Sequence, residues 1–432
     1  MRTPFLNALV GLLLTSAAAA QPVYDLLLKG GTVIDPKNNL NARRDVAVAG
    51  GKIAAVEPNI DPAKAKKTIP VNGLYVAPGF IDLHVHVFYG DQDQYCDGKL
   101  SVLPDAHSFR SGVTTMVDAG TSGAKNFELF KKRIIDRSHT RVLALLNIVG
   151  AGMAGKVEQN KDDMNPAPVI ALAKKYPETI VGVKTAHFAG YEWIAVDSAV
   201  RAGEGAKIPV MVDFGTFHIE RPHEELLLKH LRPGDMYTHA YLGAVPMLDK
   251  DGKVRQYLWD ARKRGVLLDA GHGGGSFLFR QAVPAVKQGL IPDSISTDLH
   301  ASSMVGGMKD MTNVMSKFLN MGMTLEQVIR ASTWHPARQI QRTELGHLTV
   351  GATADVAVFA VQKGTFGFVD VYGAKLMGTQ MITAEMTFKG GRMYWDLNGL
   401  ARESWDKIEK GYGPQSDFTW DSVVSSGVRG RK

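Results

Sequence analysis

From about residue 79 to residue 344 the chain repeats one hydropathy pattern. A short apolar run ends on a polar residue, and a stretch with helical spacing follows. The runs are Phe80–His84, Val113–Asp118, Arg141–Ile148, Ile180–Lys184, Ile208–Asp213, Asp235–His239, Gly265–Asp269 and Ser294–Asp298, with starts spaced by roughly 27 to 39 residues. That interval suits one βα unit, so eight of them predict an α/β fold of the (β/α)8 TIM-barrel type. Helices are expected at Asn126–Ile135, with Asn126 as N-cap, and at Glu224–Leu231 and Val254–Arg264. A doubly wound open sheet uses the same alternation. However, no Gly-X-Gly-X-X-Gly turn follows the first strand, and no loop carries a phosphate-binding lysine motif. Gly273-Gly274-Gly275 reads as a loop of close approach.

Either side of this region the pattern is different. Asp25–Lys29 and Gly31–Ile34 are short strand signals, and Asp45–Val48 and Lys52–Val56 flank a hairpin turn at Ala49-Gly50-Gly51. The texture returns at Val356–Phe359 and at Ala384–Phe388 before Gly390-Gly391-Arg392. The expectation is one small β-sandwich domain, built from residues 21–78 and 345–400, around a barrel at 79–344. A polar, Ser/Gly-rich tail at 401–432 carries Trp420 as a possible anchor for an oligomer contact.

The first twenty residues read as a signal peptide. Arg2 supplies the positive start, Leu6 to Leu14 the apolar stretch, and Ala18-Ala19-Ala20 the small-residue cleavage site. The expected location is periplasmic or secreted. No run of about 18 apolar residues follows, so no membrane span is expected. The single cysteine, Cys96, excludes an intrachain disulfide and reads as a small packed thiol. The net charge of +7 comes without a basic run interleaved with aromatics, so nucleic acid is not an expected partner. A small-molecule substrate is, and a homo-oligomer is compatible.

The chemistry lies at the ends of the runs. Strands of a barrel end on one rim, and that rim carries the active site. The first run closes on His84-Val85-His86, whose alternate positions share one face of a strand. Lys184 ends the fourth run, Asp213 the fifth, His239 the sixth and Asp298 the eighth, with His300 just beyond. Each alone has an ordinary structural role, such as an ion pair or a helix cap. Together they offer the imidazoles and carboxylates that a catalytic zinc site uses. A lysine among them makes sense as a carbamate, whose two oxygens can bridge two ions.

Ala77-Pro78-Gly79-Phe80-Ile81-Asp82-Leu83-His84-Val85-His86, Val181-Gly182-Val183-Lys184, Tyr237-Thr238-His239 and Ser296-Thr297-Asp298 resemble the amidohydrolase superfamily of metal-dependent hydrolases. Val117-Asp118-Ala119-Gly120, Gly271-His272-Gly273 and Ser296-Thr297-Asp298-Leu299-His300 resemble its deacetylase-type subgroup, near dihydroorotases and N-acyl-amino-acid hydrolases.

The resemblance implies His84 and His86 on the more buried of two ions and His239 on the more exposed one. It implies a CO2-derived carbamate on Lys184 bridging both, one or two Zn2+ per chain, and Asp298 as buried-ion ligand and proton shuttle. The reaction it implies is attack of activated water on an amide or ester carbonyl of a small polar N-acyl or acetyl substrate. A cyclic amidase and a non-catalytic binding protein derived from such a hydrolase are the alternatives. Asp213 stands where that superfamily usually has a histidine, and is expected to ligate in its place, with His218 and His223 as nearby substitutes. Arg110, Tyr241, Arg280 and Lys309 occupy candidate substrate loops. His272 and His300, nearest the strand ends, are the favoured substrate contacts.

Overall fold

The computed structural model describes residues 23–90, 101–153, 155–214 and 217–408. The expected signal peptide, Cys96 and the tail beyond residue 408, including Trp420, lie outside the described residues.

The chain opens with five strands: β1 (Leu26–Asp35), β2 (Leu40–Ala49), β3 (Lys52–Glu57), β4 (Thr68–Pro70) and β5 (Tyr75–Pro78). Seven more carry the middle: β6 (Phe80–Val85), β7 (Val113–Gly123), β8 (Arg141–Asn147), β9 (Ile180–Thr185), β10 (Val210–Val212), β11 (Met236–Tyr237) and β12 (Leu267–Leu268). Three long strands end the described chain: β13 (Val356–Val369), β14 (Lys375–Lys389) and β15 (Arg392–Asp396).

Strands from both flanks pair in one sheet. β13 pairs with β5 and β5 with β1, which welds the C-terminal hairpin to the N-terminal strands. The order is β15-β14-β13-β5-β1-β2-β3, with β4 on β1. The expected sandwich is therefore realised as one continuous eight-stranded sheet, because these cross-flank pairings leave no break between two ladders. Leu28, Val33, Val46, Val76, Val356 and Phe388 form its core.

The middle strands form a parallel sheet in sequence order, β6 through β12. Alternate positions go to different cores. On β8, Leu143 and Leu145 join Ile81, Leu83 and Val117 in one cluster. Val142, Ala144 and Leu146 join the larger cluster that includes helix residues such as Phe130, Val169 and Ala199. A sheet covered on both faces accounts for the nearly continuous apolar runs. Because all seven strands run the same way, their C-terminal ends share one edge.

The expected eighth strand, Ser294–Asp298, is not a regular strand. It touches its neighbours through isolated bridges, Asp269 with Ser294 and Val85 with Leu299. Hydrogen bonds run to both sides: Gly273 N donates to Thr297 O at 2.9 Å, and His86 N to Leu299 O at 2.9 Å. The pleat fails for two reasons. Thr297 N donates to the Asp82 carboxylate at 3.0 Å instead of a strand carbonyl. Asp298 adopts φ 50°, in the left-handed region. His239, with φ 57°, likewise stops β11 short of its expected end.

The expected helices are shorter than their patterns. Phe127–Arg133 is helical, but the Asn126 side chain does not cap it. It accepts from Gly123 N and donates to Ala151 O, both at 2.9 Å, and so ties two loops together. His223–Glu225 is a single turn that widens into a π turn at Leu226–His230, and Gln256–Arg264 is a regular helix. Among the described residues no helix is long and apolar enough to cross a membrane.

Candidate active site

His84 and His86 leave the end of β6 fully buried. Their orientation follows from what their Nδ1 atoms touch. His84 Nδ1 lies 2.9 Å from Thr238 Oγ1, whose own proton goes to Asp269 Oδ2 at 2.8 Å. The imidazole is therefore the donor in that contact, and its Nε2 carries a lone pair. His86 repeats the device: Nδ1 lies 2.8 Å from Thr121 Oγ1, and Thr121 donates to the Asp118 carboxylate. His239 Nδ1 meets the Gly271 carbonyl at 2.6 Å, which allows only a donor. Three rings thus commit Nδ1 outward and turn Nε2 inward, the orientation that metal-ligating histidines require.

Asp298 stands opposite. Its Oδ1 is 3.0 Å from His86 Nε2 and 3.5 Å from His84 Nε2. A lone pair and a carboxylate oxygen at this distance repel unless a proton or cation lies between them, so the donor set suits a divalent ion. Ligand atoms of His84, His239 and Asp298 lie within 4.8 Å of one another. Gly273 leaves room for the Asp298 carboxylate, since a Cβ there would stand 2.3 Å from Asp298 Oδ2.

Lys184, at the end of β9, is 1% exposed and places Nζ 3.3 Å from His84 Nε2. Gly120 makes room for it, since a Cβ there would meet the Lys184 side chain at 2.7 Å. Asp213, just past β10, puts Oδ2 3.6 Å from His239 Nε2. These groups line a cavity of about 60 Å³ that also takes in Met153, His187 and His300. It continues into a cleft of about 540 Å³ bordered by Leu242, Gly274, Gly275, Ser276 and Ser302.

Burial governs the protonation states. It pushes His84 well below the usual imidazole range, and the neighbouring Lys184 adds to this. It also raises Asp118 and Asp269, and lifts Asp82 to about 7. Burial opposes ionisation of Asp298 too, but the ring of histidines around it brings that carboxyl well below its ordinary value.

His84, His86, Lys184, Asp213, His239 and Asp298 come together as the strand ends suggested. His300 joins them at the rim, with Nε2 3.9 Å from Asp298 Oδ2. His272 does not. It is fully buried, stacked on Phe277 with ring centres 4.4 Å apart, and its Nε2 accepts from Lys317 Nζ at 2.7 Å. Its backbone follows β12 to the rim, but its side chain turns into the helix layer.

Tyr241 is also buried, donating to Leu290 O at 3.1 Å. Arg110 and Lys309 line a separate cleft with Tyr394 and Trp395, and Arg280 borders neither site cavity. His223 is buried against Tyr237 with Nδ1 3.0 Å from Tyr257 Oη, and His218 Nε2 meets Ala189 O at 2.8 Å. Neither replaces Asp213.

The histidine that sequence reasoning missed is His187. It lies three residues beyond Lys184, with Nε2 3.3 Å from Asp213 Oδ2 and Nδ1 3.2 Å from Glu158 Oε2. Desolvation works against a charged ring there, but the hydrogen bond to Glu158 and the charge of Asp213 outweigh it and raise its pKa. Its position just after a strand end was the available signal.

A profile described as the Amidohydrolase family matches residues 279–392. A deacetylase of Agrobacterium fabrum is 35% identical over 333 residues, covering 73% of this chain and 78% of that protein. A deacetylase of Enterococcus faecalis is 31% identical over 384 residues, covering 86% and 99%. Among solved structures, an adenine deaminase superposes with a TM-score of 0.77 at 29% identity, covering 86% of this chain and all of that one. A dihydroorotase superposes with a TM-score of 0.74 at 29% identity, covering 86% and 99%.

Proposed function

The chain belongs to the amidohydrolase family, and from that premise we propose that it removes an N-acyl group, acetyl foremost, from a small polar substrate. It is a metal-dependent hydrolase of carbon–nitrogen bonds with deacetylase-type relatives. The observation that carries the reading is the convergence of three imidazole Nε2 atoms around Asp298, each ring set by its own Nδ1 contact. We read segment 294–299 as occupying the eighth strand's place in the barrel, which brings Asp298 to the rim.

His84, His86, Asp298, Lys184, His239 and Asp213 would hold the metal, for which zinc suits the nitrogen and oxygen donors. Lys184 is buried with no carboxylate ion pair among the described residues, and a carbamate on it would present two oxygens to the cavity. A bound ion supplies an acidified water and polarises the scissile carbonyl.

The chain's own residues do the rest. Asp298 takes the proton of the attacking water and delivers it to the leaving nitrogen, a general acid–base contribution of roughly 10²–10⁴ in rate. His300, beside Asp298 at the mouth, contacts the substrate in the wider cleft. Residues 1–20 direct the protein to the periplasm or exterior.

The test is metal analysis together with a panel of N-acetyl amino acids, acetyl esters and cyclic amides. Turnover of N-acyl compounds is expected, with Asp298→Asn keeping metal and losing about 10²-fold or more in kcat. Preferential turnover of cyclic amides would move the reading to a cyclic amidase. No turnover by metal-loaded protein on any member would leave a binding protein.

A further inference from the structure

The loop after β9 carries a second device that the six strand-end residues do not explain. His187 adopts φ 53°, a left-handed conformation that is strained for a non-glycine residue. The cost is offset by a clamp. Gln159 Nε2 donates to His187 O, and Gln159 Oε1 accepts from Ala189 N, both at 2.8 Å. Arg221 Nη2 donates to Phe188 O at 3.1 Å between them. Glu158, the residue before the clamp and itself buried, takes His187 Nδ1 at 3.2 Å. Backbone and ring are thus held by adjacent residues of one short turn, Gly155–Gln159.

With Nδ1 turned to Glu158, Nε2 faces Asp213 Oδ2 at 3.3 Å. The same oxygen faces His239 Nε2 at 3.6 Å, and that ring's proton is committed to the Gly271 carbonyl. One carboxylate oxygen therefore stands between two imidazole Nε2 atoms. Two atoms bound tetrahedrally to one ion at about 2.1 Å lie about 3.4 Å apart, and both spacings match.

We infer that His187, oriented by Glu158, is a ligand of the more exposed ion together with Asp213 and His239. The inference rests on the metal-dependent reading above. In it Glu158 is a positioning residue, the carboxylate behind a ligating imidazole. A proton on His187 Nε2, tying the ring between two carboxylates and withdrawing Asp213 from metal binding, is the competing arrangement.

The experiment loads the full-length protein with Zn2+ or Co2+ in bicarbonate and measures ions per chain by plasma emission, with Co2+ absorption bands reporting geometry. The wild type is expected to hold about two ions and His187→Ala about one, with melting curves confirming that the variant folds. Glu158→Gln should weaken the second ion about 10–100-fold. The double variant His187→Ala/Asp213→His, which returns an imidazole from the end of β10, should regain it.

Equal ion content and affinity in wild type and His187→Ala overturns the inference. A wild type that hydrolyses its substrate with a single ion also overturns it, while leaving the hydrolase reading standing. A wild type that binds no ion and turns over nothing removes both.

Discussion

Thr238 Oγ1 receives the Nδ1 proton of His84 at 2.9 Å, and this contact decides which nitrogen faces the cavity. Thr238 can act as acceptor because Asp269 takes its own proton. Asp269 in turn is filled by Ser294 and Ser296 at 2.5 and 2.7 Å. Thr238→Val keeps the shape and removes the acceptor. The expected outcome is a loss of about 10–100-fold in metal affinity with little change in fold. Competition against a chelator measures it, and an unchanged affinity would remove Thr238 from this role.

Gly273 and Asp298 make a second coupled pair. A methyl at residue 273 would stand 2.3 Å from Asp298 Oδ2, on a backbone with φ 56°. Gly273→Ala must push the carboxylate aside. Displacement of a reacting group by about 1 Å can cost about 10²-fold, and a drop of that order in kcat is expected. The KM should change much less. A variant with normal kcat would show that Asp298 has freedom the structure does not suggest.

Lys317 supplies a pH signature away from the chemistry. It is completely buried, donates to His272 Nε2 at 2.7 Å and to Gly307 O at 2.6 Å, and burial pushes its pKa down to about 7 from 10.5. Between those values the unfolded chain binds a proton that the folded chain does not. Stability should therefore rise as pH climbs from about 7 toward 10.5, by at most about 1.4 kcal/mol per pH unit from this group. Below about 7 its contribution levels off at its most unfavourable. Urea midpoints across the range for wild type and Lys317→Met test this; the slope difference between the two should vanish if Lys317 is not the source.

The six candidate ligands come from five separate segments that meet at one cavity, so an ion bound there would tie those segments together. Stripping the protein with a chelator should abolish turnover and lower the melting temperature. For an ion present at about 100 times its Kd, the stability lost is about 2.7 kcal/mol. Calorimetry before and after adding the ion back reads this directly, and a melting temperature indifferent to the ion would argue against a shared centre.

Much of this site was legible because a barrel converts chain order into geometry. Parallel strands place their ends on one rim, so His84, His86, Lys184, Asp213, His239 and Asp298 could be gathered from strand ends alone. His187 escaped because it sits in a loop, and a loop's direction depends on its clamps. Here these are Gln159, 28 residues upstream of His187, and Glu158 at 29. His272 was misjudged for the converse reason. Its backbone is at the rim, but rotation of one side chain toward Phe277 and Lys317 removes it from the cavity.

The amino-acid sequence by itself determined the period of the fold, the pairing of the two flanks into one sheet domain, and the chemical types brought to the rim. These follow from local rules: apolar periodicity, turn residues, and the direction of parallel strands. Tertiary structure alone decided which nitrogen each histidine presents, that Thr297 N goes to the Asp82 carboxylate instead of a strand carbonyl, and that His187 faces Asp213. Those outcomes depend on hydrogen bonds between residues far apart in the chain, whose geometry exists only once the strands have packed together.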